Sequence, residues 1–553
     1  MPDILLIGAD IEENLGTRYL AAALRQAGFD ARLVGFTHID QMQGVIDEVL
    51  ADDPPIVGLS LAFQHRAVEF LDLITRLRQE GYAGHVTVGG HFATFEWQNL
   101  LADVRGIDSV VLFEGEETIV ELVKAVKGSS EDANAEHRTP NTERRTAGGA
   151  LPEPRTPNPE PQIAGLGVRD ANGSPMRTTP RPLIRDLNRL AFPARDTAPI
   201  EHLGLKSAAI LASRGCYGSC NFCCINAWYK ASGGPHYRSR SPENVADEMA
   251  ALRRERNVRI FNFHDDNFFL PSVAQSSARI HALGDAMRER GLDDVALLVK
   301  ARPDDLDPDL FAYLRGLGLV RLFMGIENAS EGGLQTLGRR CSVEDIHRAL
   351  SILEDLDIYL MFNLLIFDPY TTWAQIEENV AFLAQCDRYP YKICRTEMYT
   401  GTPLYERLSA EGRLEGSYLG WDYTIADPRV ELLFRLTAVV LGMRSYDLLS
   451  LTHFNVDMGY FGALAARFFP GPDTRVLREH ISDFNRRLNN DTLTLFRRMM
   501  DYARSADPRD AAGAQRVAAE LATDANRADV HFWAEYEGLE RELRRITRRT
   551  DPV

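Results

Sequence analysis

Short apolar runs alternate with amphipathic stretches over residues 1–127. The runs Ile4–Ile7, Ala31–Val34, Ile56–Leu61, His85–Val88 and Ser109–Phe113 predict strands, and the stretches Thr17–Ala27, Arg66–Glu80 and Glu117–Val126 predict crossover helices between them. Elements in that order build a doubly wound, flavodoxin-like parallel sheet, whose ligand belongs beyond the carboxyl ends of the strands. The pattern lapses over residues 128–161, where prolines and polar residues without one aromatic side chain cannot bury a core. This stretch predicts a flexible linker. A connecting segment, residues 162–206, follows, with a hairpin turning at Asn172-Gly173 between Gly165–Asp170 and Pro175–Thr179.

Alternation resumes over residues 207–425, with strands predicted at Ala208–Ser213, Arg259–Phe263, Ala296–Lys300, Val320–Gly325, Leu360–Ile366 and Tyr391–Thr396. Six such units are too few for a closed eightfold barrel and predict a partial (β/α)6 barrel. Ser241-Pro242-Glu243 sets a cap residue, a first-turn proline and an acid where a helix should start. Over residues 426–553 helical periodicity takes over, as in Thr474–Leu488 and Ala511–Leu521, which predicts a mostly helical C-terminal domain. The fold class is thus α/β with a helical end.

Charge narrows the partners. Lys and Arg number 62 against 79 Asp and Glu, a net charge of −17, and phosphate-driven affinity for nucleic acid needs a cationic surface. Generic nucleic-acid binding is not expected, and the basic run Arg544–Arg549 is short. No apolar run is long enough to span a bilayer, and the first residues lack a signal peptide's pattern, so a cytoplasmic protein without a membrane partner is expected. The loop Gly8–Gly16 lacks the glycine spacing of a dinucleotide site, which argues against NAD or FAD.

Seven cysteines in 553 residues are no disulfide framework, and four of them crowd between Cys216 and Cys224. Immediately after the first barrel strand, Cys216, Cys220 and Cys223 are spaced x3 then x2. Three thiolates so placed can hold one face of a cubic iron-sulfur cluster and leave the fourth iron open, whereas structural zinc takes four ligands. Zinc, or a chance group of buried thiols, is the alternative. Cys224 adjoins Cys223 and must point away from the other three.

This loop, with Phe222 before its third cysteine, resembles the radical S-adenosylmethionine superfamily, and the resemblance implies a 4Fe-4S cluster that chelates S-adenosylmethionine, with an electron donor such as a flavodoxin or ferredoxin. It further implies that Asp265 or Asp266 at the second strand end, Arg302 at the third and Glu327 at the fourth contact S-adenosylmethionine. Substrate-side candidates are Cys394, Arg395, Glu397 and Tyr399 on and beyond the sixth strand. Alternation puts Cys394 on one face and Arg395, Glu397 and Tyr399 on the other.

A barrel of this kind behind a flavodoxin-like domain resembles the cobalamin-binding subfamily. The resemblance rests on Glu13-Asn14-Leu15-Gly16, Gly58-Leu59-Ser60-Leu61, Gly89-Gly90-His91 and Glu114-Gly115-Glu116. It implies cobalamin held by Asn14, Leu15, Gly16, Ser60, Leu61, Gly89, Gly90, His91, Glu114, Gly115 and Glu116. Gly89 and Gly90 would let backbone approach a bulky planar ligand. Cobalamin domains that ligate cobalt use DxHxxG, but here Asp10-Ile11-Glu12 carries no histidine. The resemblance then implies histidine-off cobalamin, or a domain that kept the fold and lost the cofactor.

The activity implied is methylation of an unactivated carbon or phosphorus centre of a small-molecule or natural-product substrate. A 5′-deoxyadenosyl radical abstracts hydrogen, cobalamin delivers the methyl group, and a second S-adenosylmethionine restores it. Non-methylating dehydration, oxidation or rearrangement, with cobalamin absent or structural, is the alternative within the superfamily. A non-catalytic corrinoid or iron-sulfur carrier is the alternative outside it.

Overall fold

The computed structural model describes residues 1–136, 162–447 and 449–549. Strands β1 (Ile4–Gly8), β2 (Ala31–Gly35), β3 (Ile56–Ser60), β4 (His85–Gly89) and β5 (Ser109–Val111) are parallel and stand in the order β2-β1-β3-β4-β5. That is the expected doubly wound sheet. Every residue of β1 is buried, because helices cover both faces. Leu5, Ile7 and Val57 pack with Val45, Ile46, Phe70 and Ile74 on one side. Ile4, Leu6 and Ile56 pack with Leu24, Ile119 and Leu122 on the other.

Two expectations change here. The helix opened by Glu116 runs past Lys127 to Glu136, into the stretch read as linker; residues 137–161 lie outside the described residues. The hairpin is more than a connector, since β6 (Leu166–Arg169) and β7 (Pro175–Arg177) extend the first sheet, with β6 antiparallel to β5 through Val110↔Gly167. Leu166 and Val168 join the N-terminal core, so the returning chain covers the edge that β5 would otherwise expose.

The second sheet begins with β8 (Ile200–His202), antiparallel to β9 (Leu205–Ile210). A short ribbon of β10 (Ser213–Gly215) and β11 (Tyr237–Ser239) follows. Next come β12 (Val258–Phe263), β13 (Ala296–Ala301), β14 (Leu319–Met324), β15 (Tyr359–Phe367) and β16 (Tyr391–Arg395), and the sheet order is β16-β15-β14-β13-β12-β9-β8. The six parallel strands are those expected, with β8 added at the edge.

Side chains of these strands divide by face. Phe261, Leu297, Val299, Leu322, Leu360 and Phe362 point outward into a dry core with Met249, Ile280, Phe311 and Ile346 of the surrounding helices. On the concave face, Ile260, Ala296, Leu298 and Val320 pack against Met458 and Leu464 of the helix Leu451–Phe468. Nearer the carboxyl ends the concave side chains are only half-buried, so β15 alternates half-buried and buried from Tyr359 to Leu365.

The C-terminal helices are therefore no separate body. Leu433, Phe496 and Met499 belong to the outer barrel core, while Leu451–Phe468 closes the lower end of its interior. A final ribbon, β17 (Leu414–Ser417) and β18 (Gly420–Tyr423), brings Tyr418 and Leu419 against the N-terminal core. Among the described residues no helix is long and apolar enough to cross a membrane.

Candidate active site

The cysteine loop starts where the β10–β11 ribbon ends. Gly215 has φ +87°, and a side chain there would stand 2.0 Å from the His236 carbonyl oxygen, so only glycine turns the chain into Cys216. All three motif cysteines are free thiols. The Gly218 N–H donates to Cys216 Sγ at 3.3 Å. Cys220 Sγ receives the guanidinium groups of Arg302 at 3.7 Å and Arg339 at 3.5 Å. Cys223 occupies the cap position of the helix Cys224–Ala231.

Burial pushes the Cys216 thiol up to about 11 and raises that of Cys223 as well. Without a cation to pair with, these thiols stay protonated, and a bound cation converts them to ligands. Among the described residues no three His, Cys, Asp or Glu side chains gather on one point as ligands of a single ion. Cys341 and Cys386 are buried in the outer barrel core, and Cys341 stands within electrostatic reach of the same Arg339 and Arg302 that lie on Cys220.

The strand ends sort the remaining candidates. Asp265 is fully buried and accepts from the Ala212 N–H at 3.0 Å and from Ser213 Oγ, so it braces the β9–β10 corner rather than facing the loop. Asp266 is exposed, accepts from the Gly215 N–H at 3.0 Å, and lies within electrostatic reach of Cys216 and Cys224. Of the pair, Asp266 reaches the site. Arg302 is already engaged: its Nε donates to Asp304 at 3.0 Å, and its guanidinium lies over the Tyr217 ring at 5.6 Å. Phe222 packs against the outer core.

Glu327 has φ +66°, and its backbone bridges to β15, with N–H to Asn363 O at 3.3 Å and carbonyl from Leu365 N at 2.5 Å. Burial raises its carboxyl, opposed by Arg339 and Arg302. A non-glycine residue held at positive φ beside a catalytic loop is backbone strain that the surrounding structure must maintain.

Beyond β15 the alternation expected at the sixth strand is kept as far as Cys394, which shares the concave face with Lys392 while Tyr391 and Ile393 join the outer core. Arg395 turns away from the interior. Its guanidinium stacks on Tyr423 at 3.8 Å and Phe434 at 4.6 Å and pairs with Asp422. Glu397 accepts from the Tyr399 hydroxyl, and both lie within electrostatic reach of Cys224. The strand ends after Arg395, so simple alternation does not carry Glu397 and Tyr399 to the face of Arg395.

The carboxyl edge of the N-terminal sheet docks on the β10–β11 ribbon that leads into the cysteine loop. Glu114 accepts from Arg214 at 2.9 Å and from Arg238 at 2.8 Å, and Glu116 accepts from Arg214 at 2.5 Å. Arg214 and Arg238 sit in β10 and β11. The His91 ring packs on Trp228 at 5.2 Å, and burial lowers its basicity. Asn14 caps its own helix, donating to Ala9 O at 3.0 Å and accepting from Thr17 N at 3.2 Å, while Leu15 packs with Tyr19 and Ala209. The Gly115 position packs against Val111 and Leu20, and the Gly16 position lies against the Asn14 side chain. Gly90 has φ +108°, and a Cβ there would come 2.9 Å from the Leu61 backbone, so that glycine answers to the neighbouring chain rather than to a ligand.

A protein-family model, the B12 binding domain, matches residues 7–123, and a second, the Radical SAM superfamily, matches residues 210–383. This chain is a radical S-adenosylmethionine enzyme with a B12-binding domain. It is 24% identical over 425 residues to an uncharacterized methyltransferase of Pyrococcus horikoshii, covering 76% of this chain and 83% of that protein. It is 27% identical over 406 residues to the anaerobic magnesium-protoporphyrin IX monomethyl ester cyclase of Cereibacter sphaeroides, covering 70% of this chain but only 59% of the cyclase. In fold it is similar to the cobalamin-dependent S-adenosylmethionine radical enzyme OxsB, solved with aqua-cobalamin and S-adenosylmethionine bound. That likeness has a TM-score of 0.66 at 16% identity over 99% of this chain and 83% of the other.

The radical SAM domain takes a 4Fe-4S cluster and S-adenosylmethionine, and the B12-binding domain takes cobalamin. The donor set suits the cluster, since three free thiols share one loop and two guanidiniums stand on Cys220 to offset thiolate charge. The edge of the B12-binding domain suits a corrinoid through residues that the sequence reading left out. Ile11 and Phe63 are 61% and 58% exposed in the loops after β1 and β3, and Ser60 at the end of β3 is half-buried. Apolar side chains at polar loop positions were the available signal. Arg339 also escaped that reading, because only the folded chain brings the loop after Leu337 onto Cys220.

Proposed function

We propose that this enzyme transfers a methyl group to an unactivated carbon, or to phosphorus, of a small molecule. The observation that carries the reading is the docking of the B12-binding domain's carboxyl edge on the β10–β11 ribbon that leads into the cysteine loop, through Glu114, Glu116, Arg214 and Arg238. A methyl donor and a radical source must act on one substrate, and these ion pairs hold their two binding edges together. The relative named as a methyltransferase supports the same reading. When bound, the cluster and S-adenosylmethionine supply radical chemistry and cobalamin supplies the methyl group.

In this reading Cys216, Cys220 and Cys223 hold the cluster. Asp266, Arg302 and Glu327 orient S-adenosylmethionine, while Ser60, the Leu61 backbone, Ile11 and Phe63 receive the corrinoid. Glu397, Tyr399 and Cys394 border the substrate, and a flavodoxin or ferredoxin delivers the electron. A second reading, radical oxidation or ring formation without methylation, is favoured by the similarity to the cyclase.

The test is anaerobic reconstitution with iron, sulfide and hydroxocobalamin, followed by turnover with methyl-labelled S-adenosylmethionine and mass analysis of products. Expected are bound cobalamin, 5′-deoxyadenosine, S-adenosylhomocysteine and a labelled product. Substrate consumed with 5′-deoxyadenosine formed, but without S-adenosylhomocysteine or label, overturns methylation in favour of the second reading.

A further inference from the structure

The concave face of the barrel carries charges that the cofactors leave unassigned. Lys300 of β13, Arg321 of β14 and Lys392 of β16 alternate with residues of the outer core, and all three are half-buried. The strand registers Lys300↔Phe323, Arg321↔Tyr359, Phe323↔Met361 and Asn363↔Lys392 set them at successive levels across one concave surface. Arg302 is two residues beyond Lys300, so the surface begins about 7 Å along the strand from the cysteine loop.

The acids facing this surface do not neutralise it. Glu12, from the loop after β1, bonds His264 at 2.5 Å and accepts from Asn262 at 3.1 Å. Asp457, on the helix below, is 3.9 Å from His453. Arg321 donates to Asn262 Oδ1 at 3.3 Å and lies over the Tyr460 ring at 4.8 Å. Among the described residues neither the Lys300 nor the Lys392 ammonium has a hydrogen-bond or ion-pair partner. Both acids sense these cations at longer range, Glu12 feeling Lys300 and Arg321, and Asp457 feeling Arg321 and Lys392. His202 and the phenols Tyr359 and Tyr460 complete the ionisable wall.

Placing two unpaired ammoniums and a guanidinium half-buried on one concave face costs desolvation energy that a bound anion recovers. We infer that Lys300, Arg321 and Lys392 bind an oxyanionic group of the substrate, a phosphoryl, phosphonyl or carboxylate, on the concave barrel face below the cysteine loop. The inference rests on the proposed function, because it assigns the substrate end of that same site. Held there, the substrate's anionic end is fixed and its other end points up the strands toward the cysteine loop and the docked edge of the B12-binding domain.

The test is calorimetric titration of the anaerobically reconstituted full chain, first without and then with saturating S-adenosylmethionine, using inorganic phosphate and acetate as probes and choline as a cationic control. Wild-type protein is expected to bind phosphate or acetate, and the preferred probe names the oxyanion. Lys300→Met and Lys392→Met should each weaken that binding at least tenfold, Lys300→Arg should retain it, and the exposed C-terminal Arg545→Met should leave it unchanged. Cluster absorption and bound cobalamin, followed in every variant, report folding and test the proposed function independently. Equal binding in the Met variants, or loss of probe binding when S-adenosylmethionine is added, overturns the inference. The second result would assign the cations to that cofactor's carboxylate.

Discussion

Two seven-stranded sheets of mostly parallel strands organise this chain, and they differ in which surface is left for chemistry. In the B12-binding domain both faces are dry: β1 is buried throughout, with helices on either side. Ligand contact is left to the carboxyl edge, and there Ile11, Phe63 and Ser60 remain available. In the radical SAM domain the sheet curls, only its outer face is dry throughout, and β15 alternates half-buried with buried residues along most of its length. The same βα grammar therefore yields an edge site in one case and a cavity in the other. What decides is whether a second layer of helices covers the inner face. In the barrel one helix, Leu451–Phe468, covers only the lower part.

The largest expected effect sharpens this contrast at the mouth of the cavity. Replacing Cys216, Cys220 or Cys223 with Ala should abolish the 4Fe-4S absorption and 5′-deoxyadenosine formation, each below detection, because three ligands leave no redundancy. Cys224→Ala, Cys341→Ala and Cys386→Ala should keep both. Loss in Cys224→Ala equal to that in Cys223→Ala would break the ligand assignment.

Most strands were legible because their signal is local. Runs such as Ile4–Ile7 and Leu360–Ile366 carry their own periodicity, and the cysteine spacing is confined to one loop. What was not legible depends on distant partners. Asp265 and Asp266 are chemically identical neighbours, and only the β9–β10 corner shows that the first is structural. Glu114 and Glu116 read as ligand contacts until Arg214 and Arg238 arrive from a different domain. Arg395 was placed by alternation, but stacking on Tyr423 and Phe434 fixes its direction. The C-terminal helices read as a helical domain without a stated partner, because periodicity records that a face is apolar and says nothing of what it covers.

A pair of core substitutions tests the contrast between a dry and a wet face directly. Leu5 is fully buried in the B12-binding domain, so Leu5→Ala should cost about 2–5 kcal/mol through lost burial and a residual cavity. Met361 projects from the concave face of β15 and is half-buried, so Met361→Ala should cost about 1 kcal/mol or less. Urea denaturation of the cofactor-free protein measures both. Similar losses at the two positions would show that the barrel interior is as tightly packed as the first sheet, and the distinction between edge site and cavity would fail.

The smallest effect concerns Glu12, a side chain that leaves the edge of one sheet to meet the concave face of the other. Its carboxyl is held down to about 2, first by the hydrogen bond to His264 and then by the charges of His264, Arg321 and Lys300, against the opposing effect of burial. A carboxyl lowered in the folded state contributes stability that is fully present above its ordinary value of 4.5 and is lost as pH falls toward about 2. The Glu12 side chain is still 53% exposed, so solvent screening limits the contribution to about 1 kcal/mol or less. Glu12→Gln should therefore lower stability slightly at pH 7, and its difference from wild type should shrink steadily as pH falls below 4.5. Parallel urea titrations at pH 7, 5, 4 and 3 are the measurement. A difference that grows on acidification has the wrong sign for a depressed carboxyl and would mean that Glu12 does not bridge the two sheets as an ion.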